Sequence, residues 1–237
     1  MTTDESAATP AEPEATTSWR ELSVARSLGP ARERAERRVQ RFLDAALELM
    51  TSTSGKEFTV QQVVERSGQS LRSFYQYFDG KHELLLALFE ESVRSTAEHL
   101  RELAASEPDP GARLHRAAVE YYQMCRPPQE PPTGPRPTSQ AMAEFAQQLL
   151  TAHPKEAARA FVPLVSLFEE LLEDAAGAGV IRSDLAHRRI AGVVLQAIMF
   201  NAFAMTISGA SVKPDGGDAA EELWGLVLHG IGTGTGG

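Results

Sequence analysis

The 237-residue chain holds a single cysteine, Cys125. An internal disulfide scaffold is therefore excluded, and the composition fits a reducing compartment, so a cytoplasmic location is expected. No apolar run approaches the ~20 residues that a membrane-crossing helix needs. The opening stretch MTTDESAATPAEPEATTS is acidic and polar, lacking the basic start and apolar core of a signal peptide. The six histidines, His82, His99, His115, His153, His187 and His229, show no metal-ligand spacing on a shared helix face. No nucleophile motif is present, and Cys125 reads as a small buried residue rather than a reactive thiol. The glycine-rich end, GTGTGG, has no strand before it and no helix after it, so it reads as a frayed terminus and not a phosphate loop. The expectation is a protein without metal, cofactor or catalysis.

What is present is enough apolar material for a core, 42% of residues, and an uneven distribution of charge. The net charge of −9 is unpromising for a nucleic-acid binder until it is divided. Residues 20–82 hold 11 Lys and Arg against 8 Asp and Glu, a net of +3, and the rest carries −12. Arg32, Arg34, Arg37, Arg38 and Arg41 crowd the approach to the first amphipathic helix, and such a cluster lowers the cost of approaching phosphate. The plainer reading is a solvated helix face with Glu33 and Glu36 as partners.

The basic part also carries the most informative segment, 58–81, FTVQQVVERSGQSLRSFYQYFDGK. Thr59 is a good N-cap, and Val60, Val63 and Val64 follow at helical spacing. Gly68 suits a left-handed helix end, and Ser70 is placed to cap a second short helix. Phe74 and Phe78 lie four apart and point inward. Leu71, Arg72, Ser73, Tyr75, Gln76 and Tyr77 occupy the other faces, a set suited to phosphate and base-edge contacts. Helix, tight turn, short helix and the start of a third helix form the layout of a helix-turn-helix.

These residues resemble the N-terminal domain of the TetR family of transcriptional regulators. The resemblance rests on Phe58-Thr59, Ser67-Gly68, Ser70, Phe74-Tyr75-Gln76-Tyr77-Phe78, Lys81 and Leu84-Leu85-Leu86, and covers roughly residues 37–91. Gln69 departs from the apolar residue usual in the turn, and Leu71-Arg72 from the usual polar or small pair, so an operator sequence does not carry over. The DNA-contact set expected here is Arg38, Thr59, Ser70, Leu71, Arg72, Ser73, Tyr75, Gln76, Tyr77 and Lys81. Arg72 is the base reader by its fit to guanine, and Leu71 is the partner of a thymine methyl. Ser70, Ser73, Tyr75, Tyr77 and Lys81 would hold phosphates, and Gln76 could do either.

The remaining chain reads as helices. Val39, Phe42, Leu43, Ala46, Leu47 and Met50 make 36–51 an amphipathic helix. Further helices are expected at about 80–105, 114–125, 139–151, 155–176, 185–207 and 219–231, with a weak extra one at 19–28. The segment 127–138 holds six prolines in PPQEPPTGPRPT and cannot be a helix interior. It reads as an exposed loop, with docking of a proline-binding partner as the less favoured alternative. The expected organisation is an N-terminal arm over 1–31, disordered or partly helical, then a helix-turn-helix domain over 32–82. A helical ligand-binding and dimerisation domain follows over 83–232, then a disordered tail over 233–237. The fold class is all-α.

Helices 185–207 and 219–231 hold more apolar surface than one helix face needs. Ile190, Val193, Val194, Ala197, Leu223, Trp224, Val227 and Leu228 are the expected dimer contacts, in keeping with the pairing through the last two long helices that the resemblance implies. The alternative is that they only complete the protomer core. A second set, Tyr121, Met124, Met142, Phe145, Leu149, Phe161, Val165, Phe168, Met199, Phe200 and Phe203, is soft and apolar, with Tyr122 and Met205 beside it. Gln196 and Asn201 lie among them as polar groups. Residue by residue these are ordinary core, and as a set the resemblance makes them a ligand pocket. Few charges interrupt these runs, so an apolar or amphipathic effector is expected.

The expected function is a homodimeric repressor that binds double-stranded operator DNA and is released by a small molecule. An activator uses the same DNA contacts and stays open. A small-molecule-binding helical protein in which the helix-turn-helix is only structural is the competing reading, and its mark would be titratable residues clustered in the pocket.

Overall fold

The computed structural model describes residues 19–52, 58–126, 138–208 and 219–231. The expected terminal arm up to residue 18, the proline-rich loop and the glycine-rich tail lie outside the described residues. Every regular element among those described is an α-helix. The chain divides into two compact units, residues 1–41 and 42–237.

The first unit is, in its described part, the N-terminal stretch of helix α1 (Trp19–Ser52). The sequence suggested a short helix and then a separate amphipathic one beginning near residue 36. They are instead one helix that runs through Pro30. A proline removes one helical hydrogen bond and crowds the preceding turn. Here the alternating Arg and Glu that follow support the helix, since Arg32 pairs with Glu36 at 2.7 Å and Arg37 with Glu33 at 3.5 Å. Pairs at this spacing contribute a few tenths of a kcal/mol each. The plainer reading of the arginine cluster is thus realised for Arg32 and Arg37, while Arg34, Arg38 and Arg41 are exposed along the same helix.

The second unit begins with the last turns of α1 and continues through α2 (Val60–Ser67), α3 (Leu71–Phe74) and α4 (Lys81–Ala105). Thr59 caps α2 with a reciprocal box: its hydroxyl accepts from the Gln62 amide and its own amide donates to the Gln62 side chain. Gly68 ends α2 at φ 65°, the left-handed region that glycine enters without a Cβ penalty. Ser70 then caps α3, accepting from the Ser73 amide at 3.1 Å. α4 runs 25 residues and buries Leu84, Leu88, Phe89, Val93, Ala97, Leu100 and Ala104 along one face.

Five of the remaining helices are α5 (Pro110–Cys125), α6 (Thr138–Ala152), α7 (Pro154–Ala160), α8 (Val162–Gly177) and α9 (His187–Ser208), and α10 (Ala219–Ile231) completes them. The sequence suggested one helix over 155–176. The break at Phe161 has a local cause in Pro163, in the first turn of α8, which cannot donate to the turn before it. α4 packs on α5, both pack on α8, and α8 packs on α9. Leu100, Leu114, Leu164, Leu167 and Leu172 are almost fully buried where these helices meet. Each such side chain contributes about 1.5–3 kcal/mol by leaving water. α10 lies against α5, and its last carbonyl, at Ile231, accepts from the Arg182 amide at 2.9 Å. No helix among the described residues is long and apolar enough to cross a membrane.

Candidate functional site

Two features stand out in the second unit: a short exposed helix and a cavity between helices that opens to the surface. The short helix is α3 with the turn after it. Phe74 is fully buried and Phe78 nearly so. Their rings lie 5.4 Å apart, and Phe42 of α1 meets both edge-on, at 5.4 and 6.1 Å. This aromatic cluster fixes how α3 sits, and therefore what it presents. Leu71 is 43% exposed and Tyr75 56%, and Arg72 and Gln76 are exposed beside them. Among the described residues, Arg72 has no ion-pair or hydrogen-bond partner, so its guanidinium is available for a ligand outside the protein. An unpartnered guanidinium beside an apolar side chain and two polar ones is a surface able to read base edges.

The other residues expected at this face divide by role. Thr59 and Ser70 spend their hydroxyl oxygens on helix caps. Ser73 is half-buried and its hydroxyl oxygen is shut off from solvent, so it is not among the groups offered outward. Tyr77 is half-buried. The Lys81 ammonium lies 4.6 Å above the Phe58 ring centre, a cation–π contact that holds it at the start of α4. Arg38 belongs to the first unit and is exposed there.

The cavity, of about 500 Å³, lies among α4, α5, α6, α8 and α9. Six of the expected residues line it: Tyr121, Met124, Met142, Phe161, Met199 and Phe200. Phe145, Leu149 and Phe168 are buried behind its wall. Phe145 packs on the lining Phe89 at 5.8 Å, and Phe168 on the lining Tyr121 at 6.1 Å. Val165 is half-buried away from the lining, and Gln196 is exposed on α9. The side chain of Phe203 lies outside the described residues. Asn201 is exposed and accepts from the Tyr122 hydroxyl at 3.1 Å, so neither expected polar group faces the cavity.

The polar groups that do line it are Ser92 and Thr96 of α4, Gln147 and Thr151 of α6, and Cys125. Sequence reasoning missed the α4 wall, although Phe89, Ser92, Val93 and Thr96 follow helical spacing on one face. No charged side chain lines the cavity among the described residues. Burial pushes the Cys125 thiol up to about 11, against the opposing effect of a hydrogen bond with Tyr121. The Tyr121 hydroxyl is itself pushed well above its ordinary value by burial and by Cys125. Both groups are therefore neutral, and the wall offers apolar contact with neutral hydrogen-bonding groups and no counter-charge. A cavity of this size and lining is typical of small-molecule sites.

A third feature is apolar surface on the last two helices. Val193 is 55% exposed and Phe200 73%. Ile190, before them, and Ala197, between them, are half-buried on α9. On α10, Leu226 is 73% exposed. Val194, by contrast, is buried in its own protomer. It encloses a void of about 10 Å³ with Ala118, Tyr122, Ile198, Ala220, Leu223, Trp224 and Val227. Four of the expected dimer contacts, Val194, Leu223, Trp224 and Val227, thus face that interior space, and Trp224 also packs against His115, with ring centres 5.4 Å apart and planes at 55°. Leu228 is half-buried. Leu226, which the sequence reading omitted, is the most exposed apolar residue of α10.

Residues 42–88 match the model of bacterial regulatory proteins of the tetR family. No curated protein sequence matches the chain. Among solved structures, the chain is similar to the transcriptional regulator FadR from Bacillus subtilis in complex with stearoyl-CoA. Identity is 16% over 81% of this chain and 98% of that one, with a TM-score of 0.61. A TetR-family transcriptional regulator from Pectobacterium atrosepticum is 14% identical over 84% of this chain and 92% of that one, with a TM-score of 0.60. RolR in complex with resorcinol is 18% identical over 84% and 90%, with a TM-score of 0.58. At these identities the likeness is one of fold, and it extends from the helix-turn-helix through the helical domain that holds the cavity.

Proposed function

We infer that this chain, which carries the DNA-binding domain of the tetR family of bacterial regulatory proteins at residues 42–88, works as a homodimeric repressor of transcription. In this reading an apolar or amphipathic small molecule releases it from a near-palindromic operator. The observation that carries the reading is the outward face of α3, where Leu71, Arg72, Tyr75 and Gln76 stand exposed over the buried Phe74 and Phe78. Arg72 reads a guanine, Leu71 packs on a thymine methyl, and Tyr75 and Gln76 set the position on the backbone or assist at a base edge. The functional division is a DNA-binding domain over 32–82 and a ligand-binding and dimerisation domain over 83–232.

The effector enters the cavity between α4, α5, α6, α8 and α9, with its apolar part on Phe89, Met142, Phe161 and Met199. Ser92, Thr96, Gln147 and Thr151 receive one neutral polar group. An amphipathic molecule is in keeping with the stearoyl-CoA and the resorcinol held by two relatives of the same fold. α4 both lines the cavity and starts directly after the helix-turn-helix, so it is the element through which occupancy reaches the DNA-reading face. The coupling requires that the effector bind more tightly to the dimer whose two α3 helices do not match the half-site spacing.

Selection of bound sequences from random duplex DNA tests the reading. A near-palindromic consensus supports the regulator and the dimer together. Binding that falls steeply with salt and selects no sequence would reduce the basic segment to a generic electrostatic surface.

A further inference from the structure

The sequence separates His82 from His153 and Glu156, with Glu156 following His82 at a distance of 74 positions, and no helix-face rule brings them together. The fold does. His82, the second residue of α4, places its Nε2 2.8 Å from the Glu156 carboxylate oxygen. His153 leads into α7 and places its Nδ1 3.8 Å from that same oxygen. The two imidazole rings lie 4.6 Å apart at 37°, and the three ligand atoms all fall within 4.8 Å of one another. We propose that His82, His153 and Glu156 form a binding site for one divalent cation of the zinc class.

The chemistry of the set selects the ion. Two imidazole nitrogens and one carboxylate suit zinc, cobalt or nickel. Magnesium and calcium take oxygen ligands, and copper(I) prefers sulfur, so neither class fits. A tetrahedral ion with bonds of about 2.0–2.1 Å holds its ligand atoms roughly 3.3–3.4 Å apart. The two separations to the Glu156 oxygen, 2.8 and 3.8 Å, straddle that value, and the two imidazole nitrogens lie within 4.8 Å of each other, so closing the site requires side-chain rotation that draws the imidazoles together. The three side chains are 40–48% exposed, which leaves an entry path and a fourth position for water. Arg159, the cation that also acts on Glu156, is held by Glu90 at 3.5 Å. An isolated surface His–Glu pair would account for the first contact. It does not account for a second imidazole aimed at the same oxygen.

The position gives the ion a role. His82 follows the buried Phe78 by four residues, and His153 follows the cavity-lining Thr151 by two. A bound ion ties the start of α4 to the corner between α6 and α7. The motion by which a cavity ligand reaches the helix-turn-helix is then restrained by metal. This consequence rests on the DNA-binding reading, whereas the site itself does not.

The test is a titration of the untagged, chelator-stripped full chain with Co²⁺ alone, read by its visible absorption. Wild type should saturate at one ion per chain, and Zn²⁺ should displace the cobalt. His153→Ala and Glu156→Gln should each weaken binding by more than the roughly 10–100-fold that loss of an outer-shell partner costs, with unchanged circular dichroism. His229→Ala should bind as wild type does. Zn²⁺ should also raise the melting temperature of wild type and not of Glu156→Gln. Absence of a saturable signal, or a signal that survives in both His153→Ala and Glu156→Gln, overturns the proposal. All of these readouts use metal without DNA, so failure here leaves the regulator reading standing, and failure to select an operator leaves the metal site standing.

Discussion

Phe74 of α3 meets Phe42 of α1 edge to face, with ring centres 5.4 Å apart and planes at 88°. This contact seats a helix of only four residues. Such a helix has almost no hydrogen-bonded stability of its own, since nucleating one turn is unfavourable and short helices do not persist in water. Its orientation comes from packing, and the outward direction of Arg72 is inherited from the inward direction of Phe74.

Phe74→Ala should therefore cost about 3–5 kcal/mol of stability, the range for deleting a fully buried phenylalanine. Leu71→Ala, at a 43% exposed position, should stay within about 0.5 kcal/mol of wild type. Urea unfolding followed by circular dichroism distinguishes them. Equal midpoints for the two variants would mean that the aromatic cluster does not hold α3.

At the surface the expected contrast is one of specificity. Arg72→Ala should cost about 1–3 kcal/mol against the preferred base at one operator position and flatten the preference there. Tyr75→Phe removes a hydroxyl and keeps the ring, and should weaken binding evenly across matched and mismatched operators. Titrations of both variants against single-base operator mismatches separate the two roles. Identical profiles would contradict the assignment of Arg72 as base reader.

How much of this was legible in the sequence follows from how local each cause is. The caps at Thr59 and Ser70, the left-handed Gly68 and the inward pair Phe74 and Phe78 all act within a few residues, and all four are found where the spacing put them. The break at Phe161 also has a local cause in Pro163, which the apolar periodicity of 155–176 masked. The continuity of α1 across Pro30 was not legible, because the expectation of a break outweighed the weak helical pattern before it. The cavity was half legible. Apolar periodicity shows that Phe145 and Phe168 are buried but not whether they line a space or back the residue that does. The meeting of His82 with His153 and Glu156 depends on how α4 crosses α7, which no local pattern encodes.

Cys125, half-buried at the cavity wall, tests how far water reaches into it. Its thiol is pushed up to about 11, chiefly by burial, against an ordinary value of about 8.5. At pH 8 its reaction with a thiol reagent should therefore be roughly two orders of magnitude slower than that of the urea-unfolded chain, since only the thiolate reacts. The rate should rise about tenfold per pH unit up to about pH 10, without the plateau of an ordinary thiol. The folded thiol holds its proton more tightly than the unfolded one. Its contribution to stability is thus complete below about pH 8.5 and declines as pH rises toward 11. Fast labelling of the folded chain at pH 8 would mean that the cavity is wet at Cys125.

Val193 carries the dimer argument. It is 55% exposed, an unfavourable place for a β-branched apolar side chain on an isolated protomer, and Phe200 stands 73% exposed seven residues along the same helix. Single exposed apolar residues need no explanation, but in the proposed dimer Val193 and Phe200 belong to the stripe that meets the partner copy, and Leu226 of α10 is equally bare. Two α9 helices related by a twofold axis would bring this stripe against its own copy and set two α3 helices toward two half-sites. Val193→Glu should then place two carboxylates in an apolar contact and shift the chain to monomer in sedimentation. Operator affinity should fall with it, because a single α3 reads only half the site. The circular dichroism of the protomer should be unchanged, since Val193 contributes little to the protomer's own core. A wild-type chain that sediments as a monomer, or a Val193→Glu dimer as tight as wild type, would place the partner of this stripe elsewhere.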